Sequence, residues 1–208
     1  MITTRTVDEA LASVHRKLAA ARRAGAVTLG PPLAPDALAA IEARIGVELP
    51  EGFRRFLLEI GDGGRGPQFT LNRLEGMLAE SRKTIYTLAD PFEPALSSVE
   101  SVALEAPGIL LTDHEGCAYW SGLVLAGDER GTMWQYGESG PGWTPHVGDV
   151  RALITEDGTP FVPVEGWGDD DYYAELQDLL LSPRNRHLRL TFLDWYERFW
   201  LDPVLPRN

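Results

Sequence analysis

The stretch Leu49-Pro50-Glu51-Gly52-Phe53-Arg54-Arg55-Phe56-Leu57-Leu58-Glu59-Ile60-Gly61-Asp62-Gly63-Gly64 constrains this chain more than any other. Pro50 suits a first helical position, where a missing N–H costs nothing. Phe53, Phe56, Leu57 and Ile60 recur at i, i+3, i+4 and i+7, which is one face of a helix. Arg54, Arg55 and Glu59 fall on the other face. Gly61 is placed to close the helix in a left-handed conformation, and Gly63-Gly64 to turn the chain. A short helix with an aromatic face needs partners on all sides of that face, so the core is expected to form around it.

Elements of both kinds flank this helix. Thr6-Val7-Asp8-Glu9 reads as a capping box, with Leu11, Val14, Leu18 and Ala21 as an apolar stripe behind it. Arg16, Lys17, Arg22 and Arg23 fall late in that helix, where the dipole favours cations. Pro35 opens a second helix carrying Leu38, Ile41 and Ile45, and Gly46 stops it. After Gly66-Pro67 the period changes to two, with Phe69 and Leu71 flanking Thr70; residues 76–86 are weakly helical. Residues 108–112, 117–125 and 131–136 read as strands, the last two joined by a Gly-containing hairpin turn at 127–131. Asp169-Asp170-Asp171 is placed to cap a helix bearing Tyr172, Leu176, Leu179 and Leu180. A closing helix follows from Thr191, with Phe192, Trp195, Tyr196 and Phe199 on one face. Consecutive antiparallel strands between helices give an α+β fold: a central, mostly antiparallel twisted sheet with flanking N- and C-terminal helices.

Three of these stretches together resemble a known group. The Leu49–Gly64 helix is similar to the signature helix of the SUKH superfamily. Gly116-Cys117-Ala118-Tyr119-Trp120, Leu123-Val124-Leu125 and Gly131-Thr132-Met133-Trp134 look like the central hairpin of its bacterial members. Phe192-Leu193-Asp194-Trp195-Tyr196-Glu197-Arg198-Phe199-Trp200-Leu201-Asp202 looks like their closing helix. The motifs stand in family order and cover roughly residues 35–202. The superfamily includes fungal Smi/Knr cell-wall-synthesis regulators and many bacterial immunity proteins of polymorphic toxin systems. The resemblance implies a domain at 35–202, preceded by a helical extension at 1–34 packed on the body and followed by a tail at 203–208. It also implies a role: an immunity protein that neutralises a cognate toxin, commonly a nuclease, or else a regulatory or scaffolding protein with no toxin partner.

Charge narrows the partner. The net charge is −12, yet residues 1–30 hold five basic and two acidic side chains, so the rest of the chain is the acidic part. An acidic body repels phosphates, which argues against direct nucleic-acid binding. It attracts a basic protein, because opposite potentials speed encounter. No run approaches the ~20 apolar residues of a membrane span. The first residues hold no apolar signal core, and a single cysteine excludes an internal disulfide framework. These features lead to the expectation of a cytoplasmic protein.

Motifs for chemistry are sparse. Gly61-Asp62-Gly63-Gly64-Arg65-Gly66 fits G-x-G-x-x-G, but a helix precedes it and a strand follows, the reverse of a dinucleotide site. Asp113-His114-Glu115-Gly116-Cys117 gathers two carboxylates, an imidazole and a thiol, which would suit a hydrolase or metal enzyme using Asp113, His114 and Cys117. The segment also reads as a plain turn with a buried cysteine, and no H-x-x-x-H or C-x-x-C spacing supports a metal. No cofactor is expected, and the favoured reading is a non-catalytic protein-binding module. Its partner is expected at the acidic, Gly/Pro-rich insertion near 140–171, where Glu156, Asp157, Glu165, Asp169, Asp170 and Asp171 lie around Trp143 and Trp167 in sequence. Tryptophan with a charged rim is the composition of an interface anchor.

Overall fold

The computed structural model describes residues 5–66, 70–81, 87–94, 106–116, 119–137, 142–163 and 170–204, with only the backbone described at 114–116, 170 and 204. Phe69, Cys117, Glu165, Trp167 and Asp169 lie outside the described residues.

The helices start and stop where short-range chemistry puts them. Helix α1 (Val7–Arg23) carries the full capping box: the Glu9 carboxylate accepts the Thr6 N–H at 2.8 Å, and Thr6 Oγ1 accepts the Glu9 N–H at 3.3 Å. Helix α2 (Pro35–Ile45) begins on its proline and ends at Gly46 with φ 74°. Helix α3 (Glu51–Glu59) uses Pro50 as its N-cap, so it begins one residue later than the sequence suggests. Gly61 does not take the left-handed conformation expected of it; Gly63 does, with φ 70°. Gly61 is required for a different reason: a Cβ there would meet the Gly30 carbonyl oxygen at 2.5 Å. Helix α4 (Leu74–Ser81) receives its cap from Asp62, whose Oδ1 accepts the Leu74 N–H at 2.7 Å.

The strands form two antiparallel sheets rather than one central sheet. Strands β1 (Thr28–Leu29), β2 (Gly64–Arg65) and β3 (Thr70–Leu71) make a small sheet in the order β1-β2-β3. Residues 7–29 are therefore woven into the body, through α1 packing and through β1 pairing with β2. Strands β4 (Ile109–Gly116), β5 (Tyr119–Val124), β6 (Met133–Gly137) and β7 (Gly142–Pro145) make a four-stranded meander. Strand β4 runs on through Gly116, so residues 113–116 are strand and not the turn expected from their polar composition.

Alternation along the meander separates two cores. Leu110, Leu123 and Met133 face the main core, built on α1 and α3 with Leu11, Val14, Phe53, Phe56 and Leu57. Ile109, Leu111, Val124, Trp134, Tyr136 and Trp143 face a second core with Phe92. Helix α6 (Phe192–Trp195), capped by Thr191, closes the main core and continues as a π-helical turn, Tyr196–Leu201. Wider winding turns Trp200 and Leu201 inward, while Phe199 stays half-buried instead of sharing the buried face with Phe192 and Tyr196. The turn also draws Glu197 inward, where it accepts hydrogen bonds from Ser13 at 2.9 Å and Arg5 at 2.9 Å and pairs with Lys17 at 2.6 Å. Burial pushes the Glu197 carboxyl up, but the bonds from Lys17, Ser13 and Arg5 outweigh it and hold it below the usual carboxylate range.

Candidate partner-docking face

Residues 147–163 and 170–188 fold around a third, small core of Leu153, Phe161, Leu179 and Leu188. Ile154 bridges to Pro160, and helix α5 (Asp170–Leu181) lies over that hairpin. The short 3-10 segment Pro183–Leu188 brings Asn185 to the centre, fully buried. Its Oδ1 accepts the Ile154 N–H at 2.9 Å, and its Nδ2 donates to the Ile154 and Leu179 carbonyls, each at 3.0 Å. One side chain thus ties hairpin, helix and connector together. Asn185 drew no attention in the sequence because nothing local marks a buried amide.

The outside of this unit is acidic. Residues 149–178 contain nine carboxylates and one arginine, so most of the chain's net negative charge lies there. Asp171, Glu175 and Asp178 stand at i, i+4 and i+7 on α5 and are exposed. Val162 is 80% exposed and Tyr173 42%, each next in sequence to a ring of the Phe161–Tyr172 stack; on α5, Tyr173 lies on the opposite flank from the carboxylate stripe. Exposed carboxylates and exposed apolar groups on one small unit are the composition of a docking surface.

The expected partner residues divide. Glu156 and Asp171 are on the surface of this face. Asp157 is exposed but serves its own turn: its Oδ1 accepts the Thr159 N–H at 3.1 Å and the Thr159 hydroxyl at 2.8 Å. Hydrogen bonds from Thr155 and Thr159 hold its carboxyl below the usual range. Asp170 begins α5, and the position before it, where a cap would stand, lies outside the described residues. Trp143 is not a surface anchor. It sits on β7 at 1% exposure, against Tyr136 at 5.5 Å and Phe92 at 6.5 Å between ring centroids. Its flanking glycines and proline suggest a loop, but β7 pairs with β6 and turns the ring into the second core. Glu165, Trp167 and Asp169 lie outside the described residues.

Of the residues singled out for catalysis, Cys117 and the His114 side chain lie outside what is described, and Asp113 is buried. Asp113 is 1% exposed on β4, opposite Ser121. Ser121 Oγ lies 3.1 Å from His146 Nε2, a pair the sequence did not foreshadow because 25 residues separate the two. Ser121 is fully buried, and the His146 ring packs against Phe199 at 5.3 Å and Trp195 at 6.2 Å. A nucleophile must reach its substrate, and this hydroxyl is sealed beneath the closing helix. Among the described residues, no group of three or more His, Cys, Asp or Glu is placed to hold a metal ion. Also among them, no helix is long and apolar enough to cross a membrane.

Burial pushes the His146 imidazole down to about 3. The unfolded imidazole takes a proton near pH 6.5, whereas the folded one resists it. Stability from keeping this ring neutral is therefore complete above pH 6.5 and is lost as pH falls. One extra proton bound by the unfolded chain costs about 1.4 kcal/mol per pH unit, or about 2 kcal/mol between pH 6.5 and 5. Urea unfolding across that range should show this slope, and His146→Gln should flatten it. Equal slopes for both proteins would remove the assignment.

No protein-family model matches the chain, and no curated protein matches it.

Proposed function

We propose that this chain is a non-catalytic protein-binding module that holds a basic protein partner on the face around α5. The observation that carries the reading is the concentration of exposed carboxylates, with exposed Val162 and Tyr173, on one small unit. Taken with the resemblance of the Leu49–Gly64, Gly116–Trp134 and Phe192–Asp202 stretches to the SUKH superfamily, it favours an immunity protein. The toxin would be a basic domain such as a nuclease, neutralised by occupation of its own cationic surface. Electrostatic attraction of this kind acts mainly on the association rate, and the apolar contacts on the dissociation rate. A regulatory or scaffolding protein would use the same face on a different basic partner, and a toxin gene beside this one separates the two.

The test is kinetic. With a partner captured from the native host, Asp171→Asn combined with Glu175→Gln should slow association about tenfold at low salt and flatten its salt dependence. Melting temperature should stay within a degree or two, because exposed charges contribute little to folding. Tyr173→Ala should chiefly raise the dissociation rate. Unchanged rates for both variants from low to high salt would place the interface elsewhere.

A further inference from the structure

At the C-terminal end of α5 lies a cavity of about 380 Å³, lined by Ile154, Thr155, Glu156, Asp178, Leu179, Ser182 and Arg184. Its apolar wall comes from Ile154 and Leu179, the latter part of the third core. Its rim carries Glu156 and Asp178, exposed carboxylates that make no ion pair among the described residues. The last turn of a helix is its negative end, and α5 has no basic residue there. Asp178 in that turn, seven residues after Asp171 and three after Glu175 on one stripe, works against helix stability. The fold offers this carboxylate no compensating cation among the described residues.

Among the described residues, Arg184 is the one positive group lining the cavity. Its Nη1 donates to the Thr155 carbonyl at 2.7 Å and the Glu156 carbonyl at 2.9 Å, which bends the turn over the cavity. Its guanidinium is committed to backbone oxygens rather than to either carboxylate. Two carboxylates against one guanidinium leave the cavity net negative.

We propose that this cavity receives an arginine or lysine side chain of the protein partner. The aliphatic stem lies on Ile154 and Leu179, and the cationic head lies between Glu156 and Asp178. Long basic side chains are built for such a site, since they bury the stem and keep the head among polar groups. The assignment rests on the docking face proposed above and adds a specific anchor to it.

The experiment is an amide NMR titration with N-acetyl-arginine amide, which presents the side chain on a neutral backbone, and with N-acetyl-citrulline amide as its uncharged isostere. The arginine compound should give saturable, millimolar shifts at Thr155, Glu156, Leu179 and Ser182, and the citrulline compound none. Asp178→Asn and Glu156→Gln should each weaken binding about tenfold, the effect of losing one charge-assisted bond. Glu175→Gln removes the same charge outside the cavity and should leave affinity within twofold. Asp178→Asn should melt at the wild-type temperature or above it, because the replaced carboxylate opposes the helix dipole. Shifts that fail to saturate, that citrulline reproduces, or that weaken equally in Glu175→Gln would overturn the cavity. Those outcomes leave the kinetic test with Asp171 and Glu175 standing, so the anchor and the face fail separately.

Discussion

Phe56→Ala is expected to destabilise the protein by about 3–5 kcal/mol, the usual cost of truncating a fully buried phenylalanine. Phe56 is 0% exposed and sits at the meeting of three elements. Its ring approaches Phe192 at 5.1 Å and Tyr196 at 4.7 Å in edge-on geometry, and Phe53 on the same helix meets Phe192 at 4.5 Å. Removing the ring strips contacts from α3 and from the closing helix at once, so neither side can collapse into the void without moving the other. In a protein of this length the loss corresponds to a fall in Tm of roughly 6–20 °C. Phe56→Leu keeps most of the volume and should cost less than about 1.5 kcal/mol. A Phe56→Ala melt that overlays the wild type would mean that α3 is not the centre of the main core.

Periodicity found that helix because the whole signal lies within nine residues, and one face decides it. The same holds for α1, whose capping box is a contact between Thr6 and Glu9, and for α2, framed by Pro35 and Gly46. Failures came where structure depends on residues far away in the chain. Strands β1, β2 and β3 have two residues each, too few to show an alternation. Trp143 lies among glycines and prolines that suggest a loop, and only pairing with β6 makes it core. The π-helical turn left Phe199 half-buried instead of on the core face; an α-helical wheel cannot foresee a change of winding. Of the candidate site, the acidic character was legible from composition. The exposure of Val162 and Tyr173, and the cavity beside Asp178, were not, since they arise from how α5 lies on the Ile154–Pro160 hairpin.

Arg189 is the residue whose importance the sequence conceals most. It stands close in sequence to the exposed Arg184 and Arg186, yet its own side chain is 4% exposed. It pairs with Glu129 of the β5–β6 connection at 2.6 Å, and it donates to the Leu180 and Leu181 carbonyls at 3.0 Å each. Its guanidinium also lies 5.4 Å from the centre of the Trp134 ring. One side chain therefore supplies the C-terminal cap of α5, the counter-ion of a nearly buried carboxylate, and a contact with the second core. Arg189→Met keeps the apolar stem and removes the rest. It should cost about 3–5 kcal/mol, chiefly because Glu129 is left buried with only the exposed Arg186 to pair it. Arg189→Lys should recover little, since one ammonium cannot reach the carboxylate and both carbonyls in the fork geometry of a guanidinium. The origin of the loss can be separated from the cap by a double-mutant cycle. Arg189→Met with Glu129→Gln should regain at least 1 kcal/mol over the single mutant, because no uncompensated charge remains. Urea denaturation of the four proteins measures this. A single mutant within 1 kcal/mol of wild type, or a double mutant worse than the sum of its parts, would show that α5 is held to the sheet by its apolar contacts alone. In that case the acidic face would owe its position to Leu179 and Leu188 rather than to this buried ion pair.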